Sequence, residues 1–429
     1  MDEFRCLFTR SKTAWAIAIS LSISVCNYLV CNTSIPLPDE MTILKKWDEF
    51  KAVSGWKRDS VPDEVMLINV AYDKQLIDYS ENEIPLGQTV ITDRRKLLKF
   101  LSLAKKADNY KYIFLDVFFE KGYISEADSE LFKTISEMDR IVIPVHEGKE
   151  LQDNRLYEKA ANSDYTVTLD ETTFSRFQFI HQGVKSVPLK MYEDITGATI
   201  SQFGPLYFSN GWFCRNGITL KMPIRISDRN FIDEAKSSYN VYMLGTDVLD
   251  MDSVVPVANQ LNNKIVIIGD FLNDLHDTYT GKQPGSLICL NAYYSLIRGD
   301  HSLWGNCGLS FLFYLMMAFL YFILAIFFLN GMSFSSLIHN AWMKVVASVF
   351  SVTIIFWIIA TIVYISPLGI IYNVWVPSGA FSILDFILST YNNNKNEKSN
   401  ITAPAAIADN SSESSESEDS LAKPSANMD

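Results

Sequence analysis

Asp270, Asn273, Asp274, His276 and Asp277 fall in one short segment, between the apolar run Ile265–Ile268 and the pair Pro284–Gly285. Carboxylates beside an imidazole are groups that hold metal ions or move protons. Their spacing matches no standard metal-ligand set and loops are ordinarily polar, so neither a resident metal nor a cofactor is expected. Two further carboxylates stand at the ends of apolar runs: Asp73 after Val65–Ala71, and Asp116 near the end of Tyr112–Val117. An Asp at such a place most commonly caps a turn or helix; the alternative is that both converge on one crevice and hold a cation or a polar ligand. Gly269 and Gly285 are expected to serve the backbone, through a tight turn and a close approach. His146, His181 and His301 stand alone in sequence, where surface or core roles are favoured. No GxSxG elbow, phosphate-binding glycine loop or kinase signature is present, and the chain is not read as an enzyme.

These groups need elements to position them. Ile265–Ile268 is β-branched and charge-free, which predicts a buried strand. The helix predicted over Leu287–Ile297 follows the polar loop, and ligands of open α/β sheets sit in such strand–loop–helix crevices. Val65–Ala71, Tyr112–Val117, Ile141–Val145 and Tyr165–Leu169 read as further strands. Helices are predicted between them at Asp93–Ala107, Ala127–Met138 and Arg155–Asn162, so βαβ units and a mostly parallel or mixed sheet are expected. Thr173–Ile226 breaks the rhythm and reads as a β-rich insertion, with strands at Phe177–His181, Val187–Tyr192 and Ile218–Ile226. Tyr239–Leu244 then returns to the sheet.

The 429 residues carry a net charge of −12 and no basic stripe, which excludes nucleic acid as an expected partner. The six cysteines show no CxxC spacing. Cys214 and Cys289 either pair or remain buried thiols.

Charge-free blocks occupy both ends. Arg5, Arg10 and Lys12 precede Thr13–Cys31, which reads as an uncleaved membrane helix with its basic end inside; its length is close to the ~20 residues needed to span. Thr42–Lys57 reads as an amphipathic helix or linker. Gly308–Leu329 and Val345–Ile365 are uncharged over 22 and 21 residues, and both read as spans. Leu368–Leu388 is a weaker fourth span, containing Asn373, Pro377 and Asp385. The acidic, Ser-rich tail 391–429 is expected to be disordered. The predicted fold class is thus an α/β extracytoplasmic domain over residues 32–303 (core 65–299) plus four transmembrane α-helices, with residues 1–12 in the cytoplasm.

The segments VMLINVAYDKQL, TDRRKLLKFLSLAKKADNYKYIFLDVFFE, EADSELFKTI, IVIPV, VYMLGTDVLD and NKIVIIGDFLNDLHDTYTGKQPGSLICLNAYYSLIRG occur in this order. Together with the membrane layout they resemble the CHASE2 family of bacterial extracytoplasmic sensors, over roughly Val65–Gly299. The family's Trp-Pro pair ahead of the helix Arg is absent, and Thr278 precedes Tyr279 where the family has Pro. The resemblance implies a ligand site drawn from Asp73, Arg94, Asp116, Gly269, Asp270, Asp274, His276, Asp277, Pro284 and Gly285. It also implies the bacterial cytoplasmic (inner) membrane, with signals passing to a separate output protein, since only about 40 residues follow Leu388, below typical domain size. The expected partners are the membrane, an extracytoplasmic ligand, that output protein and a second copy of the chain as a homodimer. A scaffold protein of the envelope and, behind it, a membrane-anchored enzyme are the alternatives. Ligand-dependent melting favours sensing, turnover favours an enzyme, and co-purification of a neighbour alone favours a scaffold.

Overall fold

The apolar runs assemble into one sheet of six strands. These are Val65–Asn69 (β1), Tyr112–Leu115 (β2), Ile141–Val145 (β3), Ala160–Asn162 (β4), Val241–Met243 (β5) and Ile265–Gly269 (β6). Their order is β5–β1–β6–β2–β3–β4 and every pairing is parallel. The computed structural model describes residues 10–33, 38–54, 61–81, 84–164, 174, 176–226, 241–303, 309–332, 341–365 and 373–402. The expected strand over Tyr165–Leu169, Cys6, Cys307, residues 1–9 and the tail from residue 403 lie outside these.

Side chains alternate across the sheet, as the strand period requires. Val65, Leu67, Tyr112, Phe114, Ile265 and Ile267 enter one buried layer with the Val187–Thr196 and Gly285–Ile297 helices. Met66, Ile68, Ile113, Leu115, Val266 and Ile268 enter the other, with the Arg94–Ala107 and Asp128–Ser136 helices. Both faces are covered, which explains runs without polar alternation. The Arg94–Ala107 helix starts where Asp93 accepts from the Arg95 and Lys96 amides and ends at Asp108, whose φ is 47°.

Several expectations are corrected. Val187–Tyr192 is not a strand but the start of the Val187–Thr196 helix; Pro188 sits in its first turn and Gly197 ends it with φ 72°. The helix expected at Arg155–Asn162 is a single 3-10 turn, Asn154–Leu156, followed by β4, whose Ala160 pairs Ile143 of β3. Within Ile218–Ile226 only Gly217–Thr219 is a strand. Lys74–Glu81 and Ile84–Thr92 form a hairpin that the sequence reading omitted. Cys214 and Cys289 are free and buried, so the disulfide alternative falls.

Helices at Arg10–Cys31, Leu309–Leu329, Ala341–Ile365 and Trp375–Thr402 share one apolar cluster, which includes Ala16, Met317, Phe356 and Phe381. Among the described residues, two are long and apolar enough to cross a membrane, Arg10–Cys31 and Phe311–Leu329; Phe350–Ile362 is a shorter apolar stretch. The expected number was four. The last helix begins at Trp375 rather than Leu368, because Pro377 is tolerated only in a first turn and Asn373 accepts from the Val376 amide (3.1 Å). It carries buried Asp385 and continues through polar residues to Thr402, where a disordered tail from residue 391 was expected.

The first and second apolar helices lie antiparallel. Lys12 Nζ donates to Asn330 Oδ1 (2.7 Å), and Ser20 Oγ to the Ala318 carbonyl (2.7 Å). At their far end both dock on the segment Cys214–Gly217. Tyr28 OH donates to the Cys214 carbonyl (2.9 Å), and Asn32 Oδ1 accepts from the Asn216 amide (2.7 Å). The Arg215 guanidinium donates to the Asp300 carbonyl (2.6 Å), just ahead of the second apolar helix. A Cβ on Gly217 would meet the Cys31 carbonyl at 2.6 Å, so the chains touch backbone to backbone there. The Asn216 side chain is 1% exposed and bridges the Ile180 amide (2.7 Å) and carbonyl (2.8 Å). Asn216→Ala strands both groups, and we expect it to cost about 1–3 kcal/mol. Denaturant unfolding of the full-length protein measures this, and a loss within error of zero would contradict the bridge from the Asn216 side chain to Ile180.

Candidate functional site

β6 lies between β1 and β2, yet the helix after it packs on the opposite face from those that follow β1 and β2. The chain therefore diverges at the carboxyl end of β6, and a crevice opens there. It is a cleft of about 320 Å³ lined by Arg94, Asp116, Asp270 and Asp274, with Lys74, Thr92, Glu120, Phe118 and Tyr123. Four of the ten residues expected at a ligand site thus line one cleft.

Asp116 follows β2 directly. Its carboxylate receives no hydrogen bond among the described residues; burial, and then the facing Asp274 carboxylate, push its carboxyl up to about 8. Asp274 Oδ1 shares a hydrogen bond with His276 Nε2 (3.0 Å). Its Oδ2 and the His276 ring pack on Gly285, where a Cβ would lie 2.8 Å from Oδ2. Gly285 thus permits a close approach at the first residue of its helix, with Pro284 in the cap position. Gly269 does the same at the floor: a Cβ there would meet Ser286 Oγ at 3.0 Å and Asp116 Cβ at 3.3 Å. Ser286 is 1% exposed and its hydroxyl has no partner among the described residues.

Asp270 is a loop organiser. Burial opposes its charge, but hydrogen bonds from Asn273 and from Lys74 outweigh burial and hold its carboxyl below the usual range. The Lys74 ammonium stands 2.9 Å from Oδ2 on the rim. Arg94 is buried in the wall, donating to Asp128 Oδ1 (3.1 Å) and to the Phe118 carbonyl (3.1 Å).

Gly269, His276 and Gly285 pack against the lining residues, whereas Asp73 and Asp277 lie elsewhere. Asp73 stands at the same sheet edge but is taken by Lys96 Nζ (2.5 Å) and the Gly245 amide (3.2 Å), so it fixes the turn after β5 rather than facing the cleft. Asp277 is exposed, and its backbone carbonyl accepts from the Phe174 amide. Among the described residues no group of three His, Cys, Asp or Glu side chains is arranged to hold a metal. The sequence reading missed Asn69, fully buried at the end of β1, whose Oδ1 accepts from the Ala71 (3.0 Å) and Phe271 (3.2 Å) amides and ties the two loops together. Its signal was an Asn inside the otherwise apolar run Val65–Ala71. Lys74, at the start of the unpredicted hairpin, and Glu120 and Tyr123 carried no signal, since their segments are ordinary in composition.

Comparison with family models, curated proteins and solved structures returns no match.

Asp116 generates a pH dependence. Its carboxyl titrates near 3.9 when unfolded and about 8 when folded. Between these values the folded state holds a proton that the unfolded state lacks, so this group's contribution to stability falls as pH rises. Asp116→Asn is expected to raise the Tm at pH 8, on the order of 2–4 °C for each kcal/mol recovered, and to converge on wild type toward pH 4. Thermal melts across that range test this; a parallel offset at every pH would contradict it.

Proposed function

We propose that the chain is a membrane-anchored sensor of the CHASE2 type in the bacterial inner membrane. Its α/β domain lies outside the cytoplasm, and a polar ligand enters the cleft between Asp116 and Asp274. The helix bundle passes the change to a separate output protein. Four spans are proposed, with Ala341–Ile365 and the apolar start of Trp375–Thr402 completing the bundle and the tail inside.

The observation that carries this reading is the path of Gly269–Pro284. It leaves β6 at the cleft, supplies Asp270 and Asp274, and turns at Tyr279. Tyr279 packs against both the domain core and the cluster of the apolar helices. Its hydroxyl accepts from the Met222 amide (2.8 Å), and Arg225 lies over its ring (6.0 Å). One short segment therefore touches the cleft at one end and the bundle at the other. A ligand with different affinity for two placements of this segment would shift the bundle with it.

Two measurements test the reading. Thermal-shift screening of full-length protein against small charged and polar compounds should yield a stabilising compound whose effect Asp274→Asn reduces at least about tenfold in affinity, roughly 1.4 kcal/mol. A compound that stabilises wild type and variant equally would place binding elsewhere. For topology, a reporter active only outside the cytoplasm, fused after Asp429, should stay silent; strong activity would remove one span and the route to a cytoplasmic partner.

A further inference from the structure

Ile200–Phe203, Leu206–Ser209 and Trp212–Cys214 form a three-stranded antiparallel meander. Its register pairs Ile200 with Ser209, Gln202 with Tyr207 and Tyr207 with Cys214 on one face. Ile200, Tyr207 and Cys214 on that face are buried in the domain core. The other face carries Ser201, Phe203, Leu206, Phe208 and Phe213, through the pairs Ser201–Phe208, Phe203–Leu206 and Phe208–Phe213. Phe203 is 77% exposed and Phe213 48%, and the Phe208 and Phe213 rings stand 4.7 Å apart. A meander with its inner face in the core should be polar outside. This one carries four apolar side chains and only Ser201 as a polar one outside, and no charged residue occurs between Asp194 and Arg215.

Position supplies the occupant. Tyr28, one turn before the end of the first apolar helix, donates to the Cys214 carbonyl (2.9 Å), and its oxygen accepts from the Tyr207 amide (3.3 Å). The Arg215 amide donates to the His301 carbonyl (2.8 Å), ahead of the second apolar helix. The meander is therefore fixed where both helices leave the hydrocarbon on the proposed membrane reading. We propose that its outer face, Phe203, Leu206, Phe208 and Phe213, rests in the boundary between lipid headgroups and acyl chains. Uncharged aromatic surface is favoured at that depth, where rings bury apolar area without losing contact with water. The contact continues the lipid-facing surface of the spans and holds the domain at a fixed tilt on the bilayer.

This inference rests on the membrane reading, and the experiment separates the two. Full-length protein in phosphatidylethanolamine–phosphatidylglycerol nanodiscs carries a photoreactive residue, p-benzoylphenylalanine, in place of Phe203, Phe213, Phe319 or Ser102, one at a time. Phe319 is 64% exposed on the second apolar helix; Ser102 is exposed on the layer across the sheet from the meander. After illumination, mass spectrometry should find lipid adducts at 203, 213 and 319 and none at 102. Adducts at 319 without any at 203 and 213 overturn the inference and leave the membrane reading intact. Protein-to-protein adducts at 203 and 213 assign the face to a second copy and likewise overturn it. No lipid at 319 overturns the membrane reading itself. Positions 203 and 213 are independent, and monodisperse elution of each loaded nanodisc checks folding.

Discussion

The segment Cys214–Gly217 is held from two sides, and the rest of the molecule depends on that grip. The last turn of the first apolar helix binds it through Tyr28 and Asn32, and the linker to the second binds it through Asp300 and His301. Arg176 adds a tie to the Val30 carbonyl (3.0 Å) and Gln178 one to that of Asn32 (2.8 Å). Most of these bonds link backbone to side chain at buried or partly buried sites, where an unmade bond costs more than a made one contributes. The domain is thus not a bead on a flexible leash. His301 illustrates the tightness: burial, and then the nearby Arg215 charge, hold its imidazole down at about 4, so it stays neutral at physiological pH.

The cleft is built on the opposite principle. Asp116 faces Asp274, and neither its carboxyl nor the buried Ser286 hydroxyl has a hydrogen-bond partner among the described residues. A buried carboxyl pushed to hold its proton and an unmade hydrogen bond both lower stability, and such local conflict tends to concentrate where a site is kept ready for something else. The surrounding loops are over-determined by comparison, with Asn69 and Asp270 each fixing several amides.

Legibility in the sequence followed the range of the interaction concerned. β1, β2, β3 and β6 were readable because burial on both faces leaves a continuous apolar run. The Arg94–Ala107 helix was readable because Leu97, Leu101 and Ala104 recur at helical spacing on its buried face. β4 was not readable: Ala160–Asn162 has no strand character of its own and is made by pairing with β3. The Val187–Thr196 helix was lost because its six leading residues fit both periods, although Pro188 and Gly197 marked its ends. At the site, Asp116, Asp270 and Asp274 were found from strand ends and loop polarity. Asp73 stands outside the cleft lining because its carboxylate is taken by Lys96, 23 residues on, and by the Gly245 amide, 172 residues away in sequence.

The antiparallel apolar helices have one more consequence, which concerns time. Lys12 and Asn330 are 318 residues apart in the chain. At a synthesis rate of about 5–20 residues per second, the first helix waits on the order of tens of seconds for its partner. During that interval Ser20 and Asn27, buried in the finished bundle, are without the neighbours that cover them. Polar groups in that helix must therefore be few and weak enough not to recruit the wrong neighbour. Ser24 already satisfies its own hydroxyl, donating to the Ser20 carbonyl one turn back. The composition of this first helix is constrained by its wait as well as by its final packing.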